Sequence, residues 1–212
     1  MSEHDVLTHE KEHWARGLLV AGLDEAGRGA WAGPVVAGAV LLPPEPARLR
    51  EALAGVDDSK RLSPAARERL DVRIREVAET AVGVVEAAII DEIGILPATF
   101  QAMQAAVAAL PRRPDFLLID HIPRALGQWP QKRLVRGETA SLSIAAASII
   151  AKVYRDRLLV ALDAQYPGYG LARHKGYGTK QHRQALAQLG PAAIHRTSWA
   201  PFRQPPLPFD EI

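Results

Sequence analysis

The chain has 212 residues, a formal net charge of +2 and 48% hydrophobic residues, which is typical of one folded domain. It contains no cysteine, so a disulfide framework and any thiolate metal site are excluded. Residues 1–13 are polar and lack the apolar core of a signal peptide, and no later apolar run is long enough to span a bilayer. We therefore expect a cytoplasmic protein with no membrane partner.

Apolar runs and turn residues predict an alternation of strands and helices. A polar segment, residues 1–17, precedes two strands joined by a glycine-rich connection. Ser63 is the predicted cap of a helix that begins with Pro64 and extends to about residue 81. The predicted strands are 18–23, 34–42, 82–90, 116–119 and 131–136, and the later helices are 97–110, 141–166 and 180–189.

This pattern predicts an α/β fold in which a mixed β-sheet, antiparallel at first, is flanked by helices. We expect residues 18–166 to form the main layer. Residues 167–212 should add basic loops and a small C-terminal helical extension.

Two acids, Asp24 and Glu25, emerge where the first predicted strand ends. Adjacent carboxylates near a core lose hydration and disfavour each other's ionisation, so they persist where a cation or a donor network compensates them. The glycines Gly27 and Gly29 leave backbone N–H groups open to an anion, and Arg28 adds donors suited to phosphate. Acids followed by anion donors indicate a metal ion together with a phosphate.

Two more acids follow later strands. Asp120 ends the strand at 116–119, and Glu138 follows the strand at 131–136. In a sheet that begins with residues 18–23, Asp120 could converge on Asp24, and hard oxygen ligands favour Mg²⁺ or Mn²⁺. Each acid alone is more often a cap or turn residue, but jointly with the glycine loop they predict a divalent-metal site.

Two basic loops are candidates for contact with nucleic acid. One contains Ser59 and Lys60, and the other contains Lys175 and Tyr177. Loops of this kind hold the sugar-phosphate backbone and stack on sugars or bases. Solvated lysines and a packing tyrosine are the simpler interpretation of either loop alone, but their presence with a metal site favours nucleic-acid binding.

Two other short motifs match known sites, but the elements around them do not suit those sites. Residues 9–13 (HEKEH) match a zinc-protease pattern, but no strand precedes them and the segment is charged nearly all round, so we expect a solvated terminal helix. Residues 27–32 (GRGAWA) resemble a dinucleotide-binding fingerprint. That motif needs a helix to follow, whereas the apolar run after Gly33 predicts a strand, which disfavours an oxidoreductase.

Five sequence blocks, in order along residues 18–203, together resemble ribonuclease HII, the type 2 ribonuclease H family. The blocks are 24–29 (DEAGRG), 58–60 (DSK), 118–120 (LID), 143–156 (SIAAASIIAKVYRD) and 174–177 (HKGY). No single block is decisive, but five in sequence are highly specific.

The resemblance implies a ribonuclease H-like core and a metal-dependent endoribonuclease. Such an enzyme hydrolyses RNA in RNA–DNA hybrids and cleaves at single ribonucleotides embedded in duplex DNA, and it leaves 3′-hydroxyl and 5′-phosphate ends. We expect a monomer whose partners are these nucleic acids, with a role in ribonucleotide excision repair.

By resemblance, Asp24, Glu25 and Asp120 match metal-binding acids. Two ions, Mn²⁺ or Mg²⁺, about 4 Å apart would activate a water and stabilise the leaving 3′-oxygen, with Asp24 as the bridging ligand. The residues matched to substrate binding are Gly27, Arg28, Gly29, Ser59, Lys60, Lys175 and Tyr177. Among them, the 27–29 loop and Tyr177 match elements that read the 2′-hydroxyl and the RNA–DNA junction, while the lysines hold phosphates.

Two positions depart from the family pattern. His121 stands where glycine usually follows the strand-end Asp, and Glu138, after Arg136 and Gly137, stands where the fourth catalytic acid is usually Asp. We expect Glu138 to keep a catalytic carboxylate with an altered reach. The alternative is a module that binds hybrid duplexes without cleaving them, and these two residues are the only sequence features that favour it.

Overall fold

One mixed five-stranded sheet forms the centre of the protein, in a computed structural model that describes residues 5–203. Its strands are β1 (Val20–Ala26), β2 (Val35–Leu41), β3 (Glu79–Val85), β4 (Phe116–Asp120) and β5 (Gln131–Leu134). The helices in the described range are α1 (Thr8–Trp14), α2 (Pro46–Ala52), α3 (Pro64–Val77), α4 (Ala87–Ile93), α5 (Ile95–Ala108), α6 (Gly137–Ala140), α7 (Leu142–Gln165), α8 (Leu171–His174), α9 (Lys180–Leu189) and α10 (Ala200–Arg203). None of these described helices combines the length and apolar character needed to cross a bilayer.

The strand order β3-β2-β1-β4-β5 places β1 at the centre of the sheet. β1 pairs antiparallel with β2, which pairs antiparallel with β3, whereas β1 with β4 and β4 with β5 are parallel. The predicted mixed sheet, antiparallel at first, is therefore confirmed. Because Leu23 pairs with Ile119 in parallel register, Asp24 and Asp120 come next on adjacent strands.

Helix α7 covers one face of the sheet and α5 packs on the other. Glycines let both helices lie directly on the strands. A Cβ on Gly38 would come within 2.4 Å of the Ala147 carbonyl oxygen in α7, and a Cβ on Gly83 within 2.0 Å of the Ala102 carbonyl oxygen in α5. Because such contacts leave no space for a side chain, the helix backbones lie directly against β2 and β3, beside the strand that carries Asp24.

The C-terminal segment packs against the second half of α7 and the β1–β2 connection. A separate apolar cluster holds it there, formed by buried Ala32, Leu159, Tyr169, Leu171, Ala185 and Ile194. The predicted C-terminal extension is described as far as residue 203, and it lies beside the β1–β2 connection. Residues 1–4 and 204–212 of the two predicted terminal segments lie outside the described residues.

Several predicted boundaries were wrong. The first strand, predicted at 18–23, is β1 and continues through Asp24 and Glu25 to Ala26. The helix capped by Ser63 ends at Val77, and the strand predicted at 82–90 is β3, from Glu79 to Val85, followed by α4. In α4, Ala87 and Ile90 are buried while Ile89 and Ile93 are each 38% exposed. That spacing is helical, so the apolar residues after Val85 continue as a short amphipathic helix rather than as a strand.

The helix predicted at the N-terminus is confirmed, but the prediction that it is solvated was wrong. Glu10 of α1 is fully buried, and its Oε1 accepts hydrogen bonds from Ser141 Oγ at 2.6 Å, Ser143 Oγ at 2.7 Å and Ser143 N–H at 2.9 Å. His13 packs its ring 3.8 Å from that of Phe116. A charged stretch thus contains one carboxylate that serves as an acceptor at the beginning of α7, where the free N–H groups of a helix need acceptors.

Candidate active site

Acids from the second half of β1, from the end of β4 and from α6 meet at one edge of the sheet. Asp24 is 5% exposed, and its Oδ1 accepts the Glu25 N–H at 2.7 Å. Asp120 ends β4, and its Oδ1 accepts the Gly137 N–H at 2.8 Å. Because Gly137 begins α6, this bond brings Glu138 beside Asp120, and the structure groups all four predicted acids.

The pKa values of three of these acids reflect this crowding. Burial raises the pKa of Asp24 well above its usual range, and the charges of Glu25 and Asp120 raise it further. Burial likewise raises the pKa of Glu25, against the opposing effect of Arg28, and the pKa of Glu138, to which Asp120 contributes. Such a cluster stays ionised only when positive charge is supplied.

Two cations of the chain face the acids. Arg28 donates from Nη1 to Glu25 Oε1 at 3.0 Å. Burial disfavours the charge on Lys60, but the attraction of Asp58, Asp24 and the other acids outweighs it and raises the pKa of Lys60. Lys60, predicted to hold phosphate, is thus directed toward the acid cluster.

Ser59 lies beneath the site rather than at its surface. It is 4% exposed, and its Oγ is 2.7 Å from Ser148 Oγ on α7. Ser148 also hydrogen-bonds the Asp24 carboxylate. Ser148 was part of the 143–156 block, but no role was predicted for it. The sequence signal that could have identified Ser148 is a hydroxyl residue within an otherwise apolar helix.

Buried Arg155 organises the loop that follows Glu25. Its guanidinium donates to the carbonyl oxygens of Pro34 at 2.9 Å, Ala32 at 3.0 Å and Lys175 at 2.9 Å. Gly27 has a φ of +93°, and a Cβ there would lie 2.0 Å from Arg155 Nε. Gly27 is therefore required by packing, whereas Gly29 has open space around it and is free to face a ligand. Sequence reasoning assigned no role to Arg155.

Tyr177 lies on the loop of residues 175–179 between α8 and α9, the Tyr177 loop, which docks against the β1–β2 connection. The Gly176 carbonyl oxygen accepts the Trp31 N–H at 2.8 Å. The Tyr177 ring is 37% exposed, with Lys152 Nζ 5.7 Å and the Arg155 guanidinium 5.5 Å from its centroid. The Lys175 ammonium donates to the Ala172 carbonyl, so this predicted phosphate ligand is held by its own loop.

The acids supply the oxygen donors that a divalent cation prefers, but their side chains are not arranged as a complete metal site. Within residues 5–203, no group of three or more His, Cys, Asp or Glu side chains is arranged to hold a metal ion. Glu25 is engaged by Arg28 and Asp120 by Gly137. The oxygen donors nevertheless suit Mg²⁺ or Mn²⁺, and Glu138 Oε2 is buried without a hydrogen bond from the described residues.

Comparison with known proteins identifies the family. The family model for ribonuclease HII matches residues 21–202. The chain belongs to the ribonuclease HII family. Ribonuclease HII of Thermus thermophilus is 51% identical over 203 residues, which is 95% of this chain and 96% of that protein. Ribonuclease HII of Chloroflexus aurantiacus is 55% identical over 183 residues, or 86% of each chain.

Solved structures agree with this assignment. Ribonuclease H2 of Pyrococcus horikoshii OT3 superposes with a TM-score of 0.74 at 28% identity, covering 88% of this chain and 96% of that one. The predicted ribonuclease H-like fold is confirmed. As a ribonuclease HII, the chain is an endoribonuclease of the ribonuclease H type, in a family that acts on RNA–DNA hybrids and needs a divalent metal ion.

Proposed function

We propose that this ribonuclease HII cleaves RNA in RNA–DNA hybrids and also single ribonucleotides embedded in duplex DNA, leaving 3′-hydroxyl and 5′-phosphate ends. The observation that supports the proposal is the meeting of Asp24, Glu25, Asp120 and Glu138 at one sheet edge. Three of these acids have a raised pKa, and Arg28 and Lys60 face them.

Asp24, Glu25 and Asp120 are the proposed ligands of two divalent ions, Mg²⁺ or Mn²⁺. Bound there, the ions would supply the positive charge that activates a water and stabilises the leaving oxygen. Asp24 would gain most from this positive charge, because burial and the charges of Glu25 and Asp120 all raise its pKa. Ser148 and the Glu25 N–H orient the Asp24 carboxylate toward the cluster.

The substrate is proposed to lie across the 27–29 loop and the Tyr177 loop. Open space at Gly29 lets its backbone approach a 2′-hydroxyl, the group that distinguishes RNA from DNA. The partly exposed Tyr177 ring offers a face for stacking, and Lys60 and Lys175 carry charge suited to phosphates. None of these contacts depends on base identity, which suits an enzyme that acts at any sequence.

The placement of Glu138 argues against the alternative of a non-cleaving hybrid-binding module. Although glutamate replaces the family's usual aspartate, its side chain still joins Asp120 in the cluster. His121, the other departure, is exposed at the surface.

The deciding experiment compares two substrates, a duplex DNA with one internal ribonucleotide and an RNA–DNA hybrid, in Mg²⁺, in Mn²⁺ and with chelator. We expect metal-dependent cleavage of both. A DNA polymerase should extend the new 3′ ends directly, and a kinase should label the new 5′ ends only after phosphatase treatment. Tight binding of both duplexes with no cleavage in either metal would favour the binding module instead.

A further inference from the structure

Three buried histidines lie under the Tyr177 loop and take no part in the acid cluster. His174 of α8 is 8% exposed, His182 of α9 is 0% exposed and His195 is 2% exposed. The His174 and His182 rings stack with centroids 4.4 Å apart, and the His182 and His195 centroids are 5.3 Å apart. The His182 ring centroid also lies 5.9 Å from that of Trp31, so the cluster borders the β1–β2 connection as well as the Tyr177 loop.

The hydrogen bonds determine which nitrogen of each ring carries a proton. His182 Nδ1 is 3.1 Å from the Tyr177 carbonyl oxygen, which only accepts, so Nδ1 is the donor. In a neutral His182, Nε2 must then accept, and His195 Nε2, 3.1 Å away, must donate. His195 Nδ1 becomes an acceptor, and the Ala192 N–H lies 2.9 Å from it.

The opposite direction of donation is disfavoured. The Ala192 carbonyl oxygen is 3.1 Å from His195 Nδ1, so that nitrogen could donate instead. His195 Nε2 would then accept from His182 Nε2, and His182 would carry two protons and a positive charge. Burial lowers the pKa of His182 to about 4, which opposes that form near neutral pH.

His174 hydrogen-bonds the backbone next to Tyr177, at Gly176. Its Nε2 donates to the Tyr169 carbonyl oxygen at 2.8 Å, so its Nδ1 accepts, and the Gly176 N–H is 3.2 Å away. The backbone at Gly176 and Tyr177 is therefore fixed by two imidazoles. The Gly176 carbonyl in turn accepts from Trp31 N–H, which carries this placement to the β1–β2 connection.

The groups around the cluster also favour neutral rings. Arg183 donates to the Gly178 carbonyl oxygen at 2.9 Å, and buried Arg196 donates to the Gly33 and Arg28 carbonyl oxygens at 2.9 Å each. Arg155 and the Lys175 ammonium add two more cations on the α7 and α8 side. A proton added to any ring would join this positive charge, since the rings' hydrogen bonds within residues 5–203 go to backbone groups and to each other.

We propose that His182 and His195, each as one defined neutral tautomer, are positioning residues that set the Tyr177 ring against the β1–β2 connection and thereby determine affinity for the RNA–DNA junction. This inference rests on the proposed function of Tyr177. It predicts that the two histidines matter through different nitrogen atoms, which a merely space-filling role would not require.

Amide substitutions separate the two nitrogens, because Asn places its amide near the imidazole Nδ1 position and Gln near the Nε2 position. His182→Asn keeps the donor to the Tyr177 carbonyl, whereas His182→Gln keeps only the acceptor for His195. For a duplex with one ribonucleotide, we expect KM to rise about tenfold in His182→Gln and less than about threefold in His182→Asn, within the range that one stacking contact is worth. At His195 the order should reverse, because Gln preserves the Nε2 donor.

The tautomers can be tested on the unaltered protein by long-range ¹H–¹⁵N NMR of histidine-labelled enzyme near neutral pH, assigned with the single variants. We expect an Nδ1–H tautomer for His182 and Nε2–H tautomers for His174 and His195. An Nε2–H tautomer at His182, or equal KM values in all four variants, would overturn the inference. An enzyme that cleaves neither substrate would instead count against the proposed function, and the NMR result would still decide the tautomers.

Discussion

Asp24 is held in a position where its own negative charge is unfavourable. Burial and the neighbouring charges of Glu25 and Asp120 raise its pKa, while Ser148 and the Glu25 N–H offset only part of that effect. A divalent ion would remove this repulsion. The residue proposed to bind the ion is therefore expected to destabilise the protein when no ion is bound.

Asp24→Asn should abolish cleavage in Mg²⁺ and Mn²⁺ while hybrid binding and folding are retained, because the amide keeps the shape but not the charge. In metal-free buffer its free energy of unfolding should exceed that of the parent. The pKa of Asp24 is higher in the folded state than in the unfolded state. Protonated Asp24 therefore stabilises the folded parent below the unfolded pKa of 3.8, and this stabilisation is lost as the pH rises. Urea unfolding at several pH values should show the variant's gain growing toward neutral pH. Cleavage near the parental rate would refute the assigned role.

Glu138 has one methylene more than the aspartate usual at this place in the family, and its Oε2 lacks a hydrogen bond from the described residues. A carboxylate displaced by about 1 Å can change a rate by roughly a hundredfold. Glu138→Ala should therefore reduce cleavage strongly, whereas Glu138→Asp should maintain or increase it. We also expect the parent to prefer Mn²⁺, which tolerates looser geometry. Single-turnover rates in both metals test this, and parental rates for Glu138→Ala would mean that three acids suffice.

At the scale of the element, the Tyr177 loop connects the proposed substrate-binding surface to the core. Its backbone bonds to Trp31 N–H and to buried Arg155, so its position follows that of the β1–β2 connection. The Tyr177 ring is partly exposed and is the part of the loop proposed to contact substrate.

Tyr177→Ala should impair cutting at a lone ribonucleotide more than cutting of a long RNA–DNA hybrid, because a lone site offers only one junction. Loss of one stacking contact costs about 1–3 kcal/mol. The ratio of kcat/KM values for the two substrates is the measurement, with Tyr177→Phe as the control that keeps the ring. Equal losses on both substrates would make the tyrosine structural.

The elements that carry the acids were the most predictable from sequence. β1, β2, β4 and α7 follow apolar runs, so Asp24 and Asp120 could be placed on neighbouring strands, although β1 continues through Asp24 and Glu25 to Ala26. β3 and α4 were less predictable, because the apolar residues after Val85 suit either a strand or a short helix. Burial of Glu10 depends on Ser141 and Ser143, more than a hundred residues away, and no local pattern reveals it.

The contacts that support the site could not be predicted from local sequence patterns either. Ser148 and Arg155 stood within a recognised block, yet their partners lie on β1, on the β1–β2 connection and on the Tyr177 loop. The histidines show the same limit, since His182 and His195 meet only after the chain has turned back beyond α9. Which residues form the acid cluster could be predicted, whereas what holds them in place required the fold.

At the scale of the whole molecule, the buried histidines link stability to pH. Burial lowers the pKa of His182 from 6.5 to about 4, so between these values the unfolded chain binds the extra proton. The contribution of His182 to the free energy of unfolding should be constant above pH 6.5 and fall as pH decreases toward 4, by up to about 3 kcal/mol, since one pKa unit corresponds to about 1.4 kcal/mol. His195 should add to the loss in the same direction.

Urea unfolding from neutral to acidic pH measures this effect, and His182→Asn is the control because it cannot titrate. Asp24 changes stability with pH in the opposite direction. The quantity to compare is therefore the difference in free energy of unfolding between the parent and His182→Asn at each pH. A parent and variant that lose stability in parallel would show that His182 is already protonated or solvated in the fold.

The bond between Glu10 and Ser141 joins residues 131 positions apart. On a ribosome that adds about 5–20 residues per second, α1 is made roughly 7–26 s before the segment that donates hydrogen bonds to its buried carboxylate. Glu138 and the Lys175 loop also appear late in synthesis. A nascent chain would therefore have no complete nuclease site until most of its length had been translated, and an early stop would release a fragment unable to cut nucleic acid.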